Sequence, residues 1–212
     1  MHIPDGFIDV ATAATTYAVA AGGVAYATRE AHKRLGEKHI PLMGVMAALI
    51  FAAQMLNFPI GGGTSGHLLG AALAAIMLGP WASVLIMTCV LVVQCLVFQD
   101  GGLTALGANI FNMGLVGSFA AYYLFRGATV LLGENRQGRL AGAFIGAWGS
   151  VFLASLACAL ELAISGTSPL MLVMPAMGGV HAIIGIGEGL VTVAVLSLVL
   201  TARPDLLSLQ KV

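Results

Sequence analysis

The sequence predicts an all-α polytopic membrane protein: seven transmembrane helices in one bundle, N-terminus outside and C-terminus cytoplasmic. Two facts of composition and one pattern predict it. Hydrophobic residues make up 59% of the 212 and charged residues only 8%, against roughly 25% charged in an ordinary soluble domain. Mean hydropathy is +0.98, more apolar surface than a water-soluble fold of this length hides. The few charges cluster between apolar runs of bilayer length, and about 20 apolar residues are needed to cross.

The elements follow in chain order. The opening MHIPDGFIDV has no basic stretch before its apolar run and no small-residue cleavage site after it. No secretory signal is expected, and the mature chain is expected to begin at Met1. Residues 1–8 form a turn-rich segment, and the first span covers about 9–28. The second, about 41–58, opens on Pro41, whose missing N–H costs little at a helix start. The third run, 66–79 (GHLLGAALAAIMLG), is short; it fits if the helix continues into its flanks or if protein shields its outer end. Gly79-Pro80 makes a tight break. Further spans are expected at about 81–98, 104–125, 140–165 and 180–202, all within one integral membrane domain over residues 1–212. The 28 glycines are roughly twice average usage and point to helices in close backbone contact. Cys89, Cys95 and Cys158 lie in apolar runs and read as packing residues; three cysteines exclude complete pairing.

Charge tests the count of spans. Arg29, Lys33, Arg34 and Lys38 occupy the first loop, Arg126, Arg136 and Arg139 the fifth, and Arg203 and Lys211 the tail. Seven spans put all nine on one face, which the positive-inside rule makes cytoplasmic. Six spans would scatter them. Met1 and the loops 59–66, 99–103 and 166–168 then lie outside, so His2 and His67 share a side. The net charge of zero gives no reason to expect a nucleic-acid partner.

A free α-amine followed by histidine is itself a chelator. The amine nitrogen, the residue-2 amide nitrogen and the His2 imidazole close two fused rings around one metal. Flat all-nitrogen coordination suits Ni(II) or Cu(II), whereas zinc favours a tetrahedron. Three nitrogens leave one corner empty, and His67, after the glycine-rich GGGTSG, is the expected donor. Pro4 and the Asp5-Gly6 turn give the terminus a built shape. A Met-His start and a histidine at a helix start are also common without any site.

Polar residues at membrane depth face a bundle interior. Gln54 with Asn57, Asn109 with Asn112, and His181 with Glu188 fall in pairs on helix faces; Gln94 and Gln99 belong to the fourth span. They either join helix to helix or orient ligands in a surrounding shell. In the second reading that shell comprises Thr64, Ser65, Asn57, Asn109, His181 and Glu188. Glu161 is expected near the outer boundary, reaching water.

Five blocks now stand in order: MHIPDGF, FAAQMLNFPIGGGTSGHLLG at 51–70, LGP at 78–80, DGGLTALGANIFNMG at 100–114 and HAIIGIGEG at 181–189. Together they resemble the NikM/CbiM family, the substrate-capture components of energy-coupling-factor transporters for nickel and cobalt. The resemblance covers nearly the whole chain. It implies a seven-helix bundle with the N-terminus carried inward, and a nickel or cobalt ion held as substrate by Met1, His2 and His67, with no organic cofactor. It also implies the inner (cytoplasmic) membrane of a prokaryote and, as partners, a transmembrane coupling subunit, two ATP-binding subunits and a small linker membrane protein. The opening is closer to that of nickel-type members; cobalt capture for cobalamin synthesis by the same site is the alternative. The chain has no GxxxxGK[ST] phosphate loop, so ATP hydrolysis is expected of the partners and none of this chain. Ala48 and Ala52 form a small-xxx-small pair for docking the coupling subunit.

Two other classes compete. An intramembrane metal-dependent hydrolase would have to use His181 and Glu188, and no HExxH is present. A vitamin-capture component would line a cavity with aromatics, which make up only 7% here.

Overall fold

A computed structural model describes residues 1–56, 58–60, 64–203 and 206. Seven helices and one small hairpin account for the secondary structure of the described residues. Helix α1 (Val10–Arg34) starts where Asp9 Oδ1 accepts the N–H groups of Ala11 at 2.7 Å and Thr12 at 3.0 Å. Such a cap satisfies donors that the first turn leaves open. It runs past the expected end at 28 because Glu30 pairs with Lys33 at 2.7 Å and Arg34 at 3.1 Å, one turn on.

Helix α2 (His39–Gln54) is followed by strands β1 (Phe58–Ile60) and β2 (Thr64–Gly66), antiparallel with Phe58 opposite Gly66. The hairpin departs from an all-α fold. Helix α3 (Ala71–Leu78) is shorter than the expected 66–79. Gly70 at φ 78° and Gly79 at φ 88° bound it, conformations that suit glycine. All eight of its residues are buried, which lets so short a helix stand at membrane depth.

Helix α4 (Pro80–Phe98) has proline in its first turn. Helix α5 (Leu106–Leu132) includes a π-helical stretch at Ile110–Val116. Helix α6 (Arg136–Ile164) is capped by Asn135, whose Oδ1 accepts from Gly138 N at 2.9 Å. Helix α7 (Leu170–Ala202) begins about ten residues before the expected 180 and keeps Pro175 inside it. Neighbouring helices and local adjustment make proline tolerable in membrane helices.

By length and composition, α4, α5, α6 and α7 suffice to cross a membrane. Helix α6 packs between α5 and α7, and α3 is enclosed by α2, α4, α5, α6 and α7. Glycines set these approaches: a Cβ on Gly146 would lie 2.7 Å from the Ala121 carbonyl, and one on Gly189 2.5 Å from the Phe144 ring. Close backbone contact of this kind replaces hydrophobic driving force between helices in lipid. Leu131 and Met171, 86% and 88% exposed, belong to the apolar outer surface. The polar groups turn inward, around the chain start.

Candidate metal centre

The N-terminal segment enters the bundle and is held residue by residue. Ile3 N donates to Asn109 Oδ1 at 2.8 Å, Asn109 Nδ2 donates to Ile3 O at 3.1 Å, and Gly102 N donates to the same carbonyl at 2.8 Å. Asp5 Oδ1 accepts from Thr104 N at 2.7 Å and Thr104 Oγ1 at 2.6 Å. Those bonds hold the Asp5 carboxyl below the usual carboxylate range. Thr167 Oγ1 donates to the Phe7 carbonyl. Gly102 supplies the cradle: a Cβ there would sit 2.2 Å from Asp5 N. Gly6 at φ 81° makes the turn before α1.

This scaffold buries Met1, His2 and Ile3 to 0%, 4% and 0% exposure. The Met1 amine nitrogen lies 3.0 Å from His67 Nε2. The His2 and His67 rings stack with centroids 4.6 Å apart and planes 18° apart. His2 Nδ1 lies 3.1 Å from Asp100 Oδ1, and the Met1 carbonyl accepts from Cys158 Sγ at 3.8 Å. Burial pulls the amine down to about 5, against smaller opposing pulls from Cys158 and Asp100. At neutral pH it is therefore a free base with a lone pair to offer. Burial also lowers His2, with the Asp100 hydrogen bond opposing it.

His67 is placed by its neighbours. Its Nδ1 contacts the Leu68 carbonyl at 2.7 Å. A carbonyl only accepts, so Nδ1 carries the proton and Nε2 offers its lone pair toward the amine. The backbone that follows is clamped from two sides. Glu188 Oε2 accepts from Leu69 N at 2.9 Å and Oε1 from Gly70 N at 2.6 Å. Gln54 Nε2 donates to the Leu69 carbonyl at 2.6 Å, and Gln94 Nε2 donates to Gln54 Oε1 at 3.0 Å. Helices α2, α4 and α7 thus fix Leu69 and Gly70, the two residues before α3, through buried polar side chains.

The structure brings together Met1, His2 and His67, with Asn109 and Glu188 gripping the segments that carry them. His181 is fully buried on α7, its Nδ1 donating to the Met177 carbonyl at 2.8 Å. It lies within electrostatic reach of the Met1 amine and the His67 ring. Asn57 and the side chains of Thr64 and Ser65 lie outside the described residues. Ala48 and Ala52 are exposed on α2. Glu161 does not reach water: it is 7% exposed and its Oε2 accepts from Asn112 Nδ2 at 2.5 Å. Asn109 and Asn112 therefore serve different partners. Asp100 is a residue that sequence reasoning missed; its signal was its place in the DGG turn just after α4.

Adjacent corners of a square of metal–nitrogen bonds of about 2.0 Å stand about 2.8 Å apart. The 3.0 Å between the amine and His67 Nε2 matches such an edge. A second chelate ring through His2 Nδ1 would require that ring nitrogen to turn away from Asp100 Oδ1, 3.1 Å from it. No group of three or more His, Cys, Asp and Glu side chains with metal-site geometry occurs among the described residues.

Residues 2–206 match the CbiM family, described as the cobalt uptake substrate-specific transmembrane region. The chain is 44% identical over 209 residues to a putative fused nickel transport protein NikMN of Archaeoglobus fulgidus, covering 98% of this chain and 68% of that protein. It is 43% identical over 212 residues to a putative metal transport protein of Haloquadratum walsbyi, covering 99% and 94%. A crystal structure of a truncated transition metal transporter superposes with a TM-score of 0.85 at 34% identity, covering 94% of this chain and 98% of that one. Matched from its second residue to its last helix, this chain belongs to the NikM/CbiM family.

Proposed function

We propose that this chain captures Ni(II) on the outer side of a prokaryotic inner membrane and delivers it to an ATP-driven uptake transporter. The ion is held in a square of four nitrogens: the Met1 amine, the His2 amide, the His2 imidazole and His67 Nε2. The observation that carries the reading is the buried amine 3.0 Å from His67 Nε2, with the His2 ring stacked alongside. Burial holds that amine as a free base, which lowers the proton competition a metal meets. A flat nitrogen site disfavours zinc by geometry rather than by raw affinity. Asn109, Glu188 and His181 support the donors from behind, and Asp100 holds His2 until the ion arrives.

Partners follow from the same reading. This chain supplies capture, a transmembrane coupling subunit docks on the exposed Ala48 and Ala52, and two ATP-binding subunits supply energy. A linker protein also belongs to the assembly; the Archaeoglobus relative is named as a fused protein, and this chain covers 68% of it. Cobalt is the second reading, favoured by the description of the matching family.

The test is nickel binding by full-length chain purified in detergent, measured by elemental analysis and electronic spectrum. Wild type is expected to hold one equivalent with a square-planar spectrum. A variant whose start is extended by several residues before Met1 is expected to lose it, because the amine then lies too far from His2 for any set of fused rings. Retention of a full equivalent by that variant would sink the terminal-chelate site. His67→Ala is expected to leave the chelate with an open fourth corner and to weaken binding by more than the roughly 10–100-fold that losing an outer-shell partner of a metal ligand costs.

A further inference from the structure

At the end of the bundle that carries the basic residues, α1 and α5 part company. Helix α1 packs against Leu106–Val116 but makes little contact with Gly117–Leu132. The cleft left between them is a cavity of about 330 Å³, floored by Leu78, Gly79 and Pro80 and rimmed by Arg34 on one lip and Arg126 on the other. That volume falls in the range of about 300–1,000 Å³ typical of small-ligand sites.

The lining is chemically asymmetric. Arg34 and Arg126 are exposed on the rim. Glu30 also lines the cavity, but Lys33 lies 2.7 Å from it and offsets its charge, so two guanidinium charges remain. Arg34 reaches Glu30 through Nε and Nη2, and Arg126 reaches Tyr122 through Nη1 at 3.1 Å. Each fork keeps further N–H donors. Trp81 and Tyr123 in the lining belong to a series of touching rings that continues beyond it. Tyr26 meets Trp81 at 4.8 Å, Trp81 meets Phe119 at 4.6 Å, and Phe119 meets Tyr123 at 6.1 Å. Tyr26 and Tyr123 stay 50% and 64% exposed.

We infer that this cleft binds an anionic phospholipid. The phosphate sits between Arg34 and Arg126, and an acyl chain lies along Trp81, Tyr122 and Tyr123. Guanidinium forks recognise phosphate oxygens in pairs. Aromatic side chains with one apolar and one polar end belong at the headgroup level of a membrane. A basic pocket between membrane helices, open to lipid, is built for a charged head and an apolar tail together. The inference stands independently of the metal reading, because no residue of the metal centre lines the cleft.

The experiment is native mass spectrometry of the detergent-purified full chain with an equimolar mixture of phosphatidylglycerol and phosphatidylcholine. Wild type is expected to retain phosphatidylglycerol in preference, by about fivefold for each arginine. The double variant Arg34→Gln/Arg126→Gln is expected to retain the two lipids equally. Arg34→Lys/Arg126→Lys, which keeps the charge but loses the fork, is expected to retain only part of the preference, and an unchanged circular dichroism spectrum of the glutamine variant shows that it fails through chemistry and not through folding. Arg29→Gln, on the same basic face outside the cleft, is expected to behave as wild type. Equal retention by wild type, or an equal loss in Arg29→Gln, overturns the site. Complete displacement of phosphatidylglycerol by excess inorganic phosphate overturns the lipid assignment, since the tail would then contribute nothing.

Discussion

Asn109 turns both ends of its amide on one residue of the N-terminal segment, accepting from Ile3 N and donating to Ile3 O. Both partners are buried, so Asn109→Ala leaves a backbone donor without its acceptor. The expected loss is about 1–3 kcal/mol of stability, read as a lower thermal midpoint, with weaker nickel binding alongside. Asp5 gives a pH signature on the same segment. Its folded carboxyl lies below its ordinary value, so its contribution is complete above about pH 3.9 and is lost as pH falls through the folded value. Thermal midpoints of wild type and Asp5→Asn are therefore expected to differ by a constant amount from pH 7 to about 5, and to converge in stronger acid. A gap that widened on acidification would contradict the Thr104 tether. The proposed Met1–His2 chelate was legible in the sequence, because a chelate between covalent neighbours needs no fold to be recognised. Asp100 was not. An acid in a loop reads as solvated, and only the folded chain shows it 3.1 Å from His2 Nδ1. Glu161 was misread for a related reason: it stands one turn before a helix end, yet Asn112 from α5 meets it inside the bundle.

The loop between α4 and α5 acts as a bed for the chain start. Gly102 lies so close that any side chain would collide with Asp5 N at 2.2 Å. Gly102→Ala is expected to displace residues 1–5 and lower nickel affinity more than tenfold, while circular dichroism stays that of the wild-type helices. Unchanged affinity would mean that the segment is not held by this loop. The other half of the site depends on α7, where Glu188 accepts two backbone N–H groups ahead of α3. Glu188→Gln keeps one acceptor oxygen and sets an amide against the second N–H. Faster hydrogen exchange at Leu69 and Gly70 is expected, together with weakened binding through His67. Helix existence was readable from hydropathy throughout. Helix ends were not, because hydropathy measures apolar length, whereas α1 continues on paired charges and α7 absorbs Pro175. The β1–β2 hairpin was read as a glycine-rich loop, since three-residue strands leave almost no periodicity to detect.

Taken as a whole, the molecule has a basic end and an end that receives the chain start. Arg136 Nη2 donates to Ser197 Oγ at 3.0 Å and Thr201 Oγ1 at 3.2 Å, which sets the beginning of α6 beside the end of α7. The cleft sets the end of α1 beside the α3–α4 turn and the end of α5. Arg29, Lys33, Arg34, Arg126, Arg136, Arg139 and Arg203 therefore gather at one end. Met1, Asp5, Leu103 and Thr167 belong to the other, joined by the bonds of Asp5 to Thr104 and of Thr167 to Phe7. A bilayer with its positive residues held inside orients such a molecule in one sense only. In a variant lacking the native cysteines, Leu103→Cys is expected to react with a membrane-impermeant thiol reagent in intact cells. Leu103 is 55% exposed at the non-basic end. Glu134→Cys, exposed between α5 and α6, is expected to react only after the cells are opened. The reverse pattern would put the amine and His67 on the cytoplasmic side. An uptake protein would then have its capture site facing the wrong compartment, whatever its affinity for nickel.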